Sequence, residues 1–134
     1  MSKPLLPVVC AVIVRNHLVF AVKRGPAQKM AGKWEFPGGK VESGETDQQA
    51  LHRELAEELE IEVTIDMRLT PSRVEMQDFI LELRPYLSEI HFGEPRLHEH
   101  EAMAWINVNE LGNYDWAEAD LPVVEEVKKL LSAT

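Results

Sequence analysis

The chain has one cysteine, Cys10, among its 134 residues. A single cysteine excludes an intramolecular disulfide and a cysteine-rich zinc site, and the apolar run around Cys10 predicts a small buried side chain. Long hydrophobic runs are also missing, since no apolar stretch approaches the roughly 18 residues that span a bilayer. The first ten residues lack the basic region and cleavage site of a secretory signal. We therefore expect a cytoplasmic protein without membrane contact.

Basic residues are scarce, because 14 Lys and Arg stand against 23 Asp and Glu and the net charge is −9. Residues 1–40 carry seven basic residues and only Glu35 as an acid, a net charge of +6, whereas the remainder carries seven basic and 22 acidic residues, a net charge of −15. Most of the chain would repel phosphates, so direct nucleic-acid binding is not expected. A small phosphorylated ligand could bind between the two segments if a cation screened the repulsion.

The length and a hydrophobic content of 45% predict a single domain, residues 1–134, with its own core. The runs VVCAVIV and LVFAVKR predict neighbouring strands of a buried sheet, joined by a turn at residues 15–17. A basic loop to Lys33, an extended piece at 34–36 and a tight turn at Pro37-Gly38-Gly39 should follow. Further strands are predicted near residues 63–70, at FILELRPYL and at AMAWINV, and a final helix at DLPVVEEVKKLL.

The segment after the glycine pair predicts a helix with one apolar stripe. Thr46 and Gln49, three residues apart, form a capping-box pattern, so the helix should begin there and run to about Leu59. The apolar stripe contains Leu51, Leu55 and Leu59. Packing of this stripe on the sheet would fix the rotation of the helix about its axis.

Beside the leucine stripe lies an acidic face, because Glu54, Glu57 and Glu58 fall within a sector of about 100°. Carboxylates at this spacing repel one another by roughly a few tenths of a kcal/mol per pair. One interpretation is a solvated surface. The other is a divalent-cation site, since carboxylate oxygens without nitrogen or sulfur ligands suit Mg²⁺ or Mn²⁺. Arg53 could hold Glu45 or Glu57 in place as a bidentate partner.

The same residues resemble a known family signature. Gly39, five residues, Glu45, seven residues and then RELAEE from Arg53 are similar to the Nudix box of Nudix hydrolases. The match departs at one position, where Glu60, followed by Ile61, replaces the usual glycine. That glycine would be a left-handed helix C-cap, at which a Cβ costs on the order of 1 kcal/mol. We expect Glu60→Gly to leave turnover intact and to preserve or raise the melting temperature.

Outside the box, KWEFPGGKVESGET and HEHEAMAWINVNEL with WAEADLPVV resemble the MutT-like branch, so the similarity covers nearly the whole chain. The resemblance implies the Nudix fold, an α/β (α+β) mixed sheet between helices. It also implies hydrolysis of a nucleoside triphosphate to the monophosphate and pyrophosphate, with 8-oxo-dGTP or a (deoxy)cytidine triphosphate as candidates for nucleotide-pool cleansing. The alternatives are another diphosphate such as ADP-ribose, or a non-catalytic nucleotide-binding domain. The protein would be a monomer or a homodimer.

The resemblance implies a role for each residue of the box. The Mg²⁺ ion, or Mn²⁺ in its place, would be held by Glu54, Glu57, Glu58, Glu99 and the backbone carbonyl of Gly38 or Gly39. Arg53 and Glu45 would form the supporting pair that orients the carboxylates. Glu99 would contact the metal or serve as the catalytic base, against an alternative as a solvated loop acid. The catalytic residues would be Glu54, Glu57, Glu99 and Arg53, with Gly38 and Glu45 as structural support.

Five residues outside the acidic face are candidates for substrate binding. The resemblance aligns Arg24 with a phosphate-side arginine of the MutT-like proteins, and Lys40 lies beside the glycine turn, so both could meet the phosphates. Asp120 occupies the place where those proteins carry a base-reading Asn or Asp, although an Asp before Leu-Pro is also a good helix N-cap. Phe36 and Phe79 could flank the base, or they could be core aromatics.

His98 and His100 flank Glu99 at a spacing that would place both on one strand face. Two nearby histidines can indicate zinc. No third nitrogen or sulfur ligand is in sight, so zinc is not expected.

Overall fold

The computed structural model describes residues 2–132. Over these residues the chain forms eight strands, two α-helices and two 3₁₀ helices. The strands are β1 (Leu5–Arg15), β2 (Leu18–Lys23), β3 (Trp34–Glu35), β4 (Gly38–Lys40), β5 (Glu62–Arg68), β6 (Ser72–Glu75), β7 (Ile80–Phe92) and β8 (Ala102–Asn107). The helices are α1 (Asp47–Leu59) and α2 (Leu121–Ser132), and the 3₁₀ helices span Val108–Asn113 and Glu118–Asp120. No helix in this part of the chain is long and apolar enough to cross a membrane.

Strand β1 is the centre of a mixed sheet, because it pairs with three other strands. It lies parallel to β7 and antiparallel to β2 and β4. Strands β5 and β6 extend the sheet beyond β7, and β3 and β8 pair with β2. Val9, Cys10 and Ile13 are buried, as expected for a strand that is covered on both faces. The predicted turn is confirmed, with Asn16 and His17 at φ 51° and 65°.

Each face of the sheet carries its own apolar core under one helix. Leu51, Leu55 and Leu59 of α1 pack on one face, so the predicted leucine stripe is confirmed. Val123 and Val127 of α2 pack on the other face. The result is a mixed sheet between helices, which confirms the predicted α+β class.

Both ends of α1 follow from its sequence. The Thr46 side chain accepts the Gln49 N–H at 3.1 Å, and the Gln49 side chain accepts the Thr46 N–H at 2.9 Å. This reciprocal pair is the predicted capping box. At the other end, Glu60 has φ 58° and ψ 39°, so the predicted left-handed cap is confirmed.

The prediction of a tight turn at Pro37-Gly38-Gly39 is wrong. Residues Gly38–Lys40 form β4, which pairs with Val8, Val9 and Cys10 of β1. Glycine is required there for close approach, since a Cβ on Gly38 would overlap the Val9 carbonyl. The extended backbone places Gly39 beside α1.

The other predicted elements are present with shifted bounds. Strands β5 and β8 and helix α2 match their predicted segments. Strand β7 continues five residues beyond FILELRPYL, and β6 was not predicted. Strand β6 is short and mostly polar, with the sequence SRVE, so it carries little periodic signal of its own.

Candidate active site

A cavity of about 490 Å³ opens between β1, β4, β6, β7 and the basic loop at residues 24–33. The 3₁₀ helix Glu118–Asp120 closes another side of this cavity. The five predicted substrate residues all line this cavity, and they are Arg24, Phe36, Lys40, Phe79 and Asp120. Four residues of the predicted metal site line it as well, namely Gly38, Gly39, Glu58 and Glu99. The structure therefore brings the two predicted groups to one cavity.

Glu58 is the most perturbed member of the acidic face. Its Oε2 atom is buried and has no hydrogen-bond partner. Burial, together with the neighbouring carboxylates of Glu54 and Glu99, raises the pKa of Glu58 to about 9. An ionised Glu58 needs a nearby positive charge. A buried acceptor without a partner is the feature that a bound cation would satisfy.

Arg53 orders the start of the acidic face. Its Nε and Nη2 atoms donate to the two oxygens of Glu45 at 2.7 and 2.9 Å, and Nη1 donates to Glu54 at 2.8 Å. These bonds lower the pKa of Glu45 to about 2. The predicted contact between Arg53 and Glu45 is present. Glu57 is 61% exposed and lies 3.5 Å from Nη1 of Arg53.

The acidic face fits a hard divalent cation in its chemistry, although its side chains are not gathered around one point. Within residues 2–132, no group of three or more His, Cys, Asp or Glu side chains is arranged to hold a metal ion. The donor atoms are all oxygens, which suit Mg²⁺ or Mn²⁺. A Cβ on Gly39 would overlap the Glu54 carboxyl group, so glycine leaves room for this carboxylate beside β4. Together with the unpartnered oxygen of Glu58, this makes the site suitable for such an ion.

Asp120 also lines the cavity and is buried. Its Oδ2 atom accepts the backbone N–H of Phe36 at 2.9 Å. Burial and, to a smaller extent, the nearby Glu35 raise the pKa of Asp120 to about 8, against the lowering effect of the Phe36 N–H bond. Asp120 is inside the 3₁₀ helix Glu118–Asp120, whose N-cap position is Ala117. Its carboxyl group is bonded to the strand side of the cavity. The N-cap interpretation concerned α2, which begins at the next residue, and would require a bond to the first turn of that helix.

The aromatic candidates differ in their surroundings. Phe36 is buried, and its ring centroid lies 4.8 Å from that of Trp116. It therefore belongs both to the core under α2 and to the cavity wall. Phe79 is half-buried at the turn between β6 and β7.

Glu35 and His100 are cavity residues that the sequence analysis missed. Glu35 Oε1 accepts Nε of Arg24 at 2.9 Å, and Glu35 Oε2 accepts Nε2 of His100 at 2.9 Å. Arg24 also donates to the carbonyl of Lys29 at 3.1 Å. His98 binds elsewhere, with Nε2 at 2.7 Å from Oε2 of Glu60. The isolation of Glu35 as the one acid in residues 1–40 was a signal that could have singled it out.

Glu58 of the acidic helix face and the basic side chains of Arg24 and Lys40 line one cavity on a mixed sheet between helices. This arrangement suits a hydrolase that acts on phosphorylated substrates. A family model described as the NUDIX domain matches residues 4–127. The chain belongs to this family and is a Nudix hydrolase. Nudix hydrolases generally use divalent metal ions.

Comparison with individual proteins supports this assignment. The chain is 40% identical over 131 residues to the putative 8-oxo-dGTP diphosphatase 2 of Mycobacterium tuberculosis, covering 95% of this chain and 91% of that protein. It is 36% identical over 129 residues to the CTP pyrophosphohydrolase of Escherichia coli, covering 96% of each. The solution structure of the E. coli ORF135 protein superposes with a TM-score of 0.86 at 35% identity, covering 98% of this chain and 94% of that one. The predicted family and fold are confirmed.

Proposed function

We propose that this protein is an Mg²⁺-dependent nucleoside triphosphate pyrophosphohydrolase that releases the nucleoside monophosphate and pyrophosphate. The observation that carries the proposal is the single cavity that both Glu58, with its unpartnered oxygen, and the buried Asp120 line. The relatives named for 8-oxo-dGTP and CTP both act on triphosphates. We assign the protein to the cytoplasm, where it would remove damaged or unwanted nucleotides before their incorporation into DNA or RNA.

The metal would be held by Glu54, Glu57 and Glu58, with Glu99 and the carbonyl of Gly39 as further ligands. When bound, a divalent ion supplies an activated water and neutralises charge on phosphate oxygens. Mn²⁺ would fit the same oxygen donors. Glu57, which is exposed, has to turn toward the other two carboxylates to join them.

The chain's own residues orient this set. Arg53 holds Glu54 through a charge-assisted bond while Glu45 occupies the other edge of the guanidinium, so Glu54 keeps one rotamer beside Gly39. Arg24, whose direction is set by Glu35 and by the carbonyl of Lys29, faces the phosphates with Lys40 at the rim of the cavity. These cations provide the positive charge that the acidic face lacks.

Asp120, Phe36 and Phe79 would receive the base. A carboxyl group with a pKa of about 8 is mostly protonated at neutral pH, so Asp120 can both donate and accept a hydrogen bond. This matches a base edge on which a donor lies next to an acceptor, as in cytosine and in 8-oxoguanine. The Phe36 ring supplies an apolar wall, and Phe79 supplies another near the entrance.

The experiment is a turnover assay with Mg²⁺ on 8-oxo-dGTP, dGTP, dCTP, 5-methyl-dCTP, CTP and ADP-ribose, in which pyrophosphate and phosphate are resolved. We expect pyrophosphate from at least one triphosphate, loss of that product in Glu54→Gln, and full activity in the control Glu125→Gln. Glu125 is an exposed glutamate of α2 that pairs with Lys128 at 3.1 Å. Cleavage of ADP-ribose alone would replace the proposal with the diphosphate alternative, and nucleotide binding without any cleavage would indicate a non-catalytic domain.

A further inference from the structure

The two histidines that flank Glu99 are attached to different parts of the fold. His98 donates through Nε2 to Glu60, at the C-terminal end of α1, at 2.7 Å. His100 donates through Nε2 to Glu35, the last residue of β3, at 2.9 Å. Glu99 is thus the single residue between two anchored neighbours. Its position matters because it contributes to the raised pKa of Glu58 and lines the same cavity.

The attachment to α1 involves backbone as well as side chains. The Arg96 N–H donates to the carbonyl of Leu59 at 3.0 Å, which satisfies one of the free carbonyls at the helix end. Gly93, at φ 92°, lies so close to Glu60 that an added Cβ would be 2.6 Å from the Glu60 carbonyl oxygen. Glu60 itself adopts the left-handed conformation that disfavours a side chain. Glu60, whose backbone is under this strain, is also the residue whose side chain binds His98.

The attachment on the other side is buried. The His100 side chain is only 3% exposed, and the Glu35 side chain is 16% exposed. Glu35 is held in turn by Arg24, so each oxygen of its carboxylate has a hydrogen-bond partner. One residue further on, the Glu101 N–H donates to the Lys23 carbonyl at 2.9 Å as the chain enters β8. The loop therefore has fixed points immediately before and after Glu99.

We propose that His98 and His100 are positioning residues that hold Glu99 toward Glu58, and that Glu60 serves as the anchor for His98. The inference rests on the proposed role of Glu99 in the reaction. Without anchors the loop would be free to move Glu99 away from the cavity, because the neighbouring carboxyl group of Glu58 provides no attraction to hold it there. The two anchors oppose such a displacement on either side of Glu99. The side chain at position 60, where the family usually has glycine, thereby gains a use that offsets its backbone strain.

The anchor at His98 can be tested without unfolding the protein. A contact between exposed polar side chains contributes little to stability, and the His98 and Glu60 side chains are 49% and 51% exposed. We expect His98→Ala and Glu60→Gly each to lower kcat by about tenfold with KM changed less than about twofold, because a displacement near 1 Å is costly to chemistry. The melting temperature of Glu60→Gly should stay level or rise, since its left-handed strain is relieved. His98→Gln should recover most of kcat by keeping a donor.

The double variant His98→Ala/Glu60→Gly should be no slower than either single variant, because both remove the same contact. The matched control is Glu94→Gln. Glu94 lies in the same loop and pairs with Arg15 at 3.4 Å, away from Glu99, so this variant should match wild type. Amide exchange of Arg96 should be faster in His98→Ala while that of Glu101 is unchanged.

The outcomes separate this inference from the proposed function. Glu99→Gln gives the largest effect that loss of positioning could have. If Glu99→Gln is impaired but Glu60→Gly turns over at the wild-type rate, as the sequence alone predicts, the anchor is refuted. Additive losses in the double variant would refute it too. If Glu99→Gln itself is fully active while pyrophosphate is still produced, the role of Glu99 and the inference fall together, and the proposed function stands.

Discussion

The substitution Asp120→Asn provides a test of how the cavity is built. In the wild type, burial raises the pKa of the Asp120 carboxyl group from its ordinary value of 3.8 to about 8. Asparagine is close in shape and keeps an oxygen that can accept the Phe36 N–H. It cannot ionise. The change therefore removes the titration and leaves the packing nearly unaltered.

The magnitude follows from the two pKa values of Asp120. In the unfolded chain the carboxyl group loses its proton above about pH 4, whereas in the folded protein it keeps the proton until about pH 8. The contribution of Asp120 to the free energy of unfolding is therefore fully present below about pH 4, falls as the pH rises, and is lost by about pH 8. At pH 7 the loss is about 4 kcal/mol, from 1.36 kcal/mol per pH unit. The asparagine NH₂ group needs a partner inside the cavity wall, which costs about 1 to 3 kcal/mol.

Asp120→Asn should consequently be less stable than wild type near pH 4. Near pH 8, where the wild-type loss reaches about 5 kcal/mol, the variant should be more stable by about 2 to 4 kcal/mol. The assay is urea unfolding of both proteins at pH 4, 6 and 8. Taking the difference cancels Glu58, which is present in both. Asp66→Asn, at an exposed position of β5, is the matched control and should follow wild type. A difference between Asp120→Asn and wild type that does not change with pH would refute the raised pKa and the protonated carboxyl group with it.

Three further predictions concern the acidic face. Glu57→Gln should lower kcat by orders of magnitude with normal folding by circular dichroism, and near-normal turnover would remove Glu57 from the metal site. Mg²⁺ binding at pH 7 should release close to one proton in wild type and markedly less in Glu58→Gln, measured by calorimetry in buffers of different ionisation enthalpy, because Glu58 with a pKa of about 9 must ionise to bind. Gly39→Ala should nearly abolish turnover, since its Cβ would overlap the Glu54 carboxyl group. Gly112→Ala should remain active, because its Cβ would come no closer than 3.9 Å to Nζ of Lys128. Equal activity of the two variants would show that turnover does not need the room that Gly39 leaves for Glu54.

Helix α1 could be predicted almost to the residue because its signals are local. The Thr46 and Gln49 pair, the leucine period and the left-handed cap at Glu60 all act within a few residues of one another. The contact between Arg53 and Glu45 is also short in sequence. Elements that depend on distant partners were harder to predict. Strand β4 looked like a turn because Pro-Gly-Gly has that local preference, and pairing with β1 overrode it.

The candidate site shows the same division. The box residues were available from spacing, but the anchors of residues 98–100 were not. His98 lies 38 residues from Glu60, and His100 lies 65 residues from Glu35. No periodicity relates residues so far apart. Two histidines around a glutamate raised the possibility of a metal site, whereas in the folded protein each histidine binds a carboxylate.

The sequence by itself determined the acidic helix, which is fixed by local spacing and side-chain chemistry, and its motifs carried the resemblance to the family. Tertiary structure decided which of those groups are desolvated. Glu54, Glu57 and Glu58 are the same residue type on one helix face, yet the folded protein places them in three environments. One oxygen of Glu58 is buried without a partner, Glu54 accepts a hydrogen bond from Arg53, and Glu57 is exposed to solvent. Burial in the folded protein raises the pKa of Asp120 and keeps its carboxyl group protonated, and this effect outweighs the Phe36 N–H bond, which by itself lowers the pKa. Desolvation depends on everything packed around a group, and that information exists only once the chain has folded.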